Sequence, residues 1–248
     1  MPGPKRDSIY RESGGNPGSF EFSERVAEVF GDMIRRSVPG YGRTLAEIER
    51  LAARAATPGS VCYDLGCSLG AATLALARGI AGGIAGGDAR IVAVDNSPAM
   101  IERCGQILDE SGVGVAVELR TEDLRETVVR DASLVVLNYT LQFVPPGDRP
   151  DLLTRIRGGM RDGGILVLSE KIRLADPVLD ALFIDLHHDF KRANAYSELE
   201  ISRKRAALEK VLVPDTAETH LERLRGAGFG HAACWMQELN FASFVAVA

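Results

Sequence analysis

Four stretches of the chain place reactive or ligand-binding side chains directly after strand-like runs. Asp64-Leu65-Gly66-Cys67-Ser68-Leu69-Gly70 follows Val61-Cys62-Tyr63. Small residues there let backbone approach a ligand, and the helix that follows offers free N–H groups. Ser68 stands where the second glycine of a dinucleotide fingerprint would be, and no G-K-[ST] follows, which excludes a phosphate-cradling P-loop. Such a turn alone serves structure as readily as function. Asp95-Asn96 ends the next apolar run, where an acid can accept hydrogen bonds from both ribose hydroxyls or cap a helix. Asp123, in Thr121-Glu122-Asp123-Leu124, is placed to take an adenine amino group, and Asn138-Tyr139-Thr140-Leu141-Gln142-Phe143 turns polar groups toward the same cleft.

A second set of candidates lies in HHDFKRANAYSELEISRKR, residues 187–205. His187 and His188 suit proton transfer near neutrality, against capping or core roles. With Asp189 they also suggest a metal site, but no further spaced ligands support one, so no metal is expected. Lys191 and Arg192 either attract an anionic dicarboxylate or face water. Arg203, Lys204 and Arg205 read by themselves as a solvated helix face.

Strands alternating with helices position these groups. Helical patterns at Ser23–Ser37, with Ser23 as N-cap, and at Thr44 to about Ala56 precede a strand at Val61–Leu65. Then follow a helix at Leu69–Ile80, strands at Arg90–Asp95, Val113–Leu119, Ala132–Asn138 and Gly164–Glu170, and helices at Pro98–Glu110 and Asp151–Met160. That alternation predicts a parallel sheet covered on both faces, with ligands beyond the carboxyl ends of its strands. Residues 172–212 break the rhythm as a mostly helical insert, placed to cap those ends. A helix at Asp215–Ala227 precedes strands His231–Glu238 and Phe241–Val247, whose close joint at Leu239-Asn240 predicts an antiparallel hairpin. Residues 1–19, rich in Gly, Pro, Ser and charge, are expected to form a mobile arm ahead of one domain over 20–248, with N-terminal helices in 20–57.

Composition narrows the function. The chain has 248 residues, 46% hydrophobic, enough for a substantial core. With 29 Lys and Arg against 34 Asp and Glu the net charge is −5, which argues against direct nucleic-acid or acidic-membrane binding. Cys62, Cys67, Cys104 and Cys234 form no C-x-x-C pair or disulfide framework, no apolar run is long enough to span a membrane, and no signal peptide opens the chain. A cytoplasmic protein is expected.

Taken together, the D-x-G turn, the acid ending the next strand and the Asp after the third resemble the class I S-adenosylmethionine (SAM) dependent methyltransferases. That resemblance implies a Rossmann-like α/β fold with a mostly parallel seven-stranded sheet, a C-terminal antiparallel hairpin and a helical cap. More particular blocks (FSERVAEVF, RSVPGY, YDLGCSLGAATL, VDNSPAMIERC, LNYTLQF, LSEK, HHDFKRANAYSELEISRKR and ETH) are similar to the carboxy-S-adenosylmethionine synthases from about Phe20 to the C-terminus. The resemblance implies an enzyme that moves the carboxyl group of prephenate onto the SAM methyl carbon, leaving phenylpyruvate and yielding carboxy-SAM. It also implies a homodimer, and a partner enzyme that uses the product to carboxymethylate the wobble uridine of tRNA. By the same resemblance Tyr41 closes over the ligand, and Gly66, Cys67 and Ser68 line its methionine portion. Asp95 and Asn96 hold the ribose, Asp123 and Leu124 the adenine, Asn138 the region near the sulfonium, and Arg205 the new carboxylate. Cys67 is expected to be a small loop residue, because nothing nearby in sequence would depress its pKa. The loop Ile80–Asp88 and Glu122 depart from the family's pattern, without bearing on the site. A conventional methyltransferase and a non-catalytic SAM-binding partner of a tRNA-modifying enzyme remain the alternatives.

Overall fold

The computed structural model describes residues 6–11, 20–209 and 211–248. Its centre is a seven-stranded sheet, built from β1 (Val61–Leu65), β2 (Arg90–Asp95), β3 (Val117–Thr121), β4 (Ala132–Asn138), β5 (Met160–Lys171), β6 (His231–Glu238) and β7 (Phe241–Val247). The order is β3-β2-β1-β4-β5-β7-β6. The first five strands run parallel, while β7 is antiparallel to both β5 and β6. Strand order reverses between β1 and β4, so a crevice opens beyond their carboxyl ends.

Every residue of β1 is buried, and alternate side chains feed two cores. Tyr63, Val92, Val135 and Leu166 face one way, toward Leu152 of helix α5 (Arg149–Gly158) and Leu224 of α8 (Ala217–Gly226). Cys62, Ile91, Leu134 and Val167 face the other, toward Ile48 of α2 (Tyr41–Ala55) and Leu76 of α3 (Ala71–Gly82). Helix α1 (Glu24–Ser37) lies against α4 (Pro98–Ser111) through Val26, Val29, Met33 and Met100. The expected insert consists of α6 (Pro177–Ala193) and α7 (Glu198–Leu208). A capping box between Ser197 and Glu200 starts α7.

Several boundaries differ from the sequence reading. Strand β3 begins at Val117 rather than Val113, because pairing to β2 starts with Val117 opposite Ile91, while Val113 and Val115 pack into the core as loop residues. Strand β5 begins at Met160, which pairs with Ala132 and shortens the preceding helix. Ser23 occupies the N-cap of α1 without a side-chain capping bond. Within the segment expected to form a mobile arm, residues 6–11 make contacts with α1 and the cap. Asp7 is 2% exposed; its backbone N–H donates to Asp32 Oδ2 of α1 at 2.8 Å, and its carboxylate accepts a 2.5 Å hydrogen bond from Tyr196 Oη. A carboxylate with such partners is an anchor, which the composition of the segment conceals. The rest of the expected arm, residues 1–5 and 12–19, lies outside the described residues.

Candidate active site

The crevice is a cavity of about 460 Å³, and all ten residues named from sequence line it: Tyr41, Gly66, Cys67, Ser68, Asp95, Asn96, Asp123, Leu124, Asn138 and Arg205. One wall consists of the loops after β1, β2, β3 and β4; the other comes from α1, α6 and α7.

On the strand-end wall, backbone geometry does much of the positioning. Gly66 has φ +85°, and a Cβ there would lie 2.3 Å from the Thr140 methyl, so the turn admits no side chain. Ser68 adopts φ +50°, a left-handed conformation that a glycine would reach without strain. Its N–H donates to Asp95 Oδ2 at 2.9 Å, and Ser97 N–H donates to Oδ1 at 2.9 Å. These bonds fix the carboxylate at the end of β2 and leave further lone pairs for a ligand. Burial raises the Asp95 pKa, against the two backbone bonds that lower it. Asp123 is held below the usual carboxylate range by Arg125, which bonds it through Nη2 at 2.6 Å. An incoming ligand would therefore share Asp123 with that guanidinium. Asn138 presents a buried Oδ1 with no partner among the described residues, an acceptor available to the cavity.

Glu170 holds the neighbouring loop. Its carboxylate accepts from Leu141 and Gln142 N–H, both at 2.8 Å, and Gln142 Oε1 accepts from Lys171 N–H. Tyr139, at φ +61°, packs between Tyr41 and Phe241. Burial, with Asp64 and Tyr139 nearby, pushes the Tyr41 phenol up, so it meets a ligand as a neutral ring and hydroxyl. Cys104, burial and the carboxylates of Asp64 and Asp95 push the Cys67 thiol up as well. A protonated, buried thiol suits a loop residue rather than a nucleophile.

The cap wall is cationic: Lys191 of α6 and Lys204 and Arg205 of α7 line it, joined at its edge by Lys171 from the end of β5. Lys204 is 5% exposed, donates to Ser37 Oγ at 2.8 Å and lies 3.8 Å from Asp7 Oδ2. The solvated-face reading is therefore corrected for Lys204, which points inward. Arg205 is half exposed at the cavity mouth and bonds Glu209 at 2.5 Å. Lys191 is buried, whereas its neighbour Arg192 pairs with Asp189 and Glu198 at the surface. Of the two sequence alternatives, the inward one holds for Lys191 and the water-facing one for Arg192. His187 Nε2 lies 2.7 Å from the Ser37 carbonyl, and its ring packs on Phe241. Since a carbonyl only accepts, Nε2 carries the proton. Burial and Lys191 hold the His187 pKa down to about 2, which makes it a neutral structural residue. Asp189 is committed to Arg192, and no group of three potential metal ligands occurs among the described residues.

Sequence reasoning did not single out Asp64 and Lys171, which line the cavity, or Glu170, which braces the loop beside it. Asp64 is wholly buried in the cavity wall; Oδ2 accepts from Thr73 Oγ1 at 2.6 Å and Oδ1 has no partner among the described residues. Burial pushes its pKa up to about 7. Its signal was the first position of the D-x-G turn, and that of Lys171 was the end of an apolar strand.

Residues 62–164 match the methyltransferase domain family. Human N-acetylserotonin methyltransferase in complex with SAM superposes with a TM-score of 0.61 at 17% identity, over 91% of this chain and 56% of that one. At that identity the likeness establishes the fold alone. The carboxy-S-adenosyl-L-methionine synthase of Trichlorobacter lovleyi is 54% identical over 98% of both chains. The protein of that name from Klebsiella pneumoniae subsp. pneumoniae is 50% identical over 98% of this chain and 96% of its own. Identity of this degree along nearly the whole of both chains, on a seven-stranded methyltransferase fold, shows that the chain belongs to the carboxy-S-adenosyl-L-methionine synthase family.

Proposed function

We propose that the protein converts SAM and prephenate to carboxy-SAM and phenylpyruvate. The observation that carries this reading is one cavity with an acidic, backbone-braced wall opposite a cationic wall. Transfer of a neutral methyl group needs no cation beside the transferred carbon, whereas a carboxylate formed there does. The names of the near full-length relatives support the same reaction.

In this reading SAM is a substrate. Asp95 and Asn96 take the ribose hydroxyls, Asp123 and Leu124 the adenine, and Asn138 Oδ1 the partial positive charge around the sulfonium. Gly66, Cys67 and Ser68 admit the methionine portion, and Tyr41 closes over it. Prephenate aromatises by losing carbon dioxide and hydroxide; the hydroxide takes a proton from the SAM methyl group to form water. The resulting ylide carbon bonds to carbon dioxide, and Arg205 pairs with the carboxylate produced. A guanidinium suits that role through two parallel hydrogen bonds. The product then serves a separate tRNA carboxymethyltransferase acting on wobble uridine in the cytoplasm, consistent with the net charge of −5, which disfavours tRNA capture by this chain.

A homodimer fits the exposed apolar face of α6, where Val178, Leu179, Leu182 and Leu186 are 75%, 48%, 49% and 37% exposed. No helix among the described residues is long and apolar enough to cross a membrane.

The test is to purify the protein without added ligand, denature it, and weigh the released small molecule. A species heavier than SAM by one carbon dioxide supports the proposal, and production of the same species from SAM only when prephenate is added establishes turnover. SAM or its demethylated product alone, with no turnover of prephenate, would put methyl transfer ahead.

A further inference from the structure

The cavity's cationic wall contains more positive charge than the product carboxylate requires. Lys204 is answered by Asp7 and Ser37, and Arg205 by Glu209. Lys171 and Lys191 are different. Neither ammonium makes a hydrogen bond or ion pair among the described residues, although Lys191 is only 6% exposed and both line the cavity. They approach it from separate elements, Lys171 from the carboxyl end of β5 and Lys191 from the last turn of α6.

A buried Lys191 and a half-buried Lys171, with no salt bridge to either among the described residues, are unfavourable in the empty protein, because desolvation and mutual repulsion act together. Burial, followed by Lys204, Lys171 and Arg205, pushes Lys191 down to about 7. Lys171 is likewise lowered by burial and by Arg205, against the weaker pull of Glu209 and Asp180, neither of which reaches it as an ion pair. Folding holds both side chains here nonetheless: the backbone of Lys171 is fixed by Gln142 Oε1, and the carbonyl of Lys191 accepts from Tyr196 N–H, which closes the end of α6. An anion bridging the two would supply the missing partner, favour the charged form of both lysines, and leave Arg205 for the transferred group.

The geometry points to Lys171 and Lys191 as the seat of a dicarboxylate co-substrate, separate from the Arg205 carboxylate position. That the anion is a co-substrate rests on the proposed reaction; that an anion is bound there rests on the two unpartnered lysines. SAM's own carboxylate is a poorer occupant, since its methionine portion is expected along the Gly66–Ser68 turn on the opposite wall.

The experiment is calorimetric titration of prephenate into protein saturated with S-adenosylhomocysteine, a non-reacting nucleoside, for wild type, Lys171→Gln, Lys191→Gln and Lys191→Arg. The expected result is prephenate affinity lowered about 30-fold or more in each Gln variant, as for loss of one partner of a buried charge pair, with partial recovery in the Arg variant. Nucleoside affinity stays unchanged. Lys171 is less buried than Lys191, so its variant keeps the test intact if Lys191→Gln does not fold. Unaltered prephenate affinity in folded Gln variants overturns the assignment, as does absence of prephenate binding to wild type. An equal loss of nucleoside affinity also overturns it, by giving the lysines to SAM. Turnover of SAM and prephenate by wild type is measured separately: lysine-dependent prephenate binding without turnover would leave the anion seat standing and remove the proposed reaction.

Discussion

The two walls of the cavity are built on opposite principles. The strand-end wall holds acidic groups fixed by the loops at neighbouring strand ends: Asp95 by the backbone of Ser68 and Ser97, beside a turn made possible by Gly66, Asp64 by Thr73 and Asp123 by Arg125. The cap wall holds side chains fixed over long sequence distances, such as the cation of Lys204 by Ser37 and Asp7, and the neutral ring of His187 by the Ser37 carbonyl. The first kind of wall follows from the parallel sheet and suits a ligand common to many enzymes of this fold. The second kind belongs to one insert, and it is where the chemistry peculiar to this family is expected to reside.

Substitutions that break one wall should leave the other working. The largest effect is expected for Asp95→Ala, which removes a carboxylate that also orders the β1 turn. SAM affinity should fall by about 3 kcal/mol, more than 100-fold, in an equilibrium binding measurement. Retention of tight SAM binding would mean that the strand-end wall is not the nucleoside site.

A smaller effect on the opposite wall concerns pH. His187 has a folded pKa held far below its ordinary value, so the unfolded chain binds the extra proton first as pH falls. The contribution is complete above about pH 6.5 and is lost progressively below it, by about 2 kcal/mol between pH 6.5 and 5. Urea midpoints at pH 7 and pH 5 check this, and His187→Gln should narrow the difference. A difference unchanged by that substitution would assign acid sensitivity elsewhere, His220 being similarly buried with its pKa lowered to about 4.

Arg205→Ala should separate the walls most cleanly. Because the guanidinium is half exposed, the loss is about 1–2 kcal/mol in carboxy-SAM affinity, with SAM affinity unchanged. Equal losses for both ligands would show that Arg205 does not read the carboxylate. The smallest effect is expected for Ser68→Gly. Relief of the left-handed strain is opposed by added freedom in the unfolded chain, so stability should stay within about 1 kcal/mol of wild type. Ser68→Val should lower the melting temperature, since a β-branched residue resists that φ.

The same contrast explains what could be read from the sequence. The D-x-G turn, Asp95 and Asn138 were legible because a strand's end locates its side chains along a known edge. Lys191 and Arg192 were not, because neighbouring helical residues point roughly 100° apart and only tertiary packing decides which of them faces inward. Arg205 was identified through family resemblance, since its residue type and helical setting suit a surface equally well. Asp7 was hidden by the Gly- and Pro-rich composition around it. The onset of β3 was misplaced because Val113 and Val115 are core residues without being strand residues.

The bond from Tyr196 to Asp7 joins residues 189 positions apart. During synthesis from the N-terminus, Asp7 emerges long before the residue that will cover it, so this corner of the cap can close only after most of the sheet has been made. In refolding followed by pulsed hydrogen exchange, amides around Tyr196 should gain protection after those of β1 and β4. The cation-lined wall would then be the last part of the cavity to acquire its shape, on a sheet that already has its nucleoside edge in place.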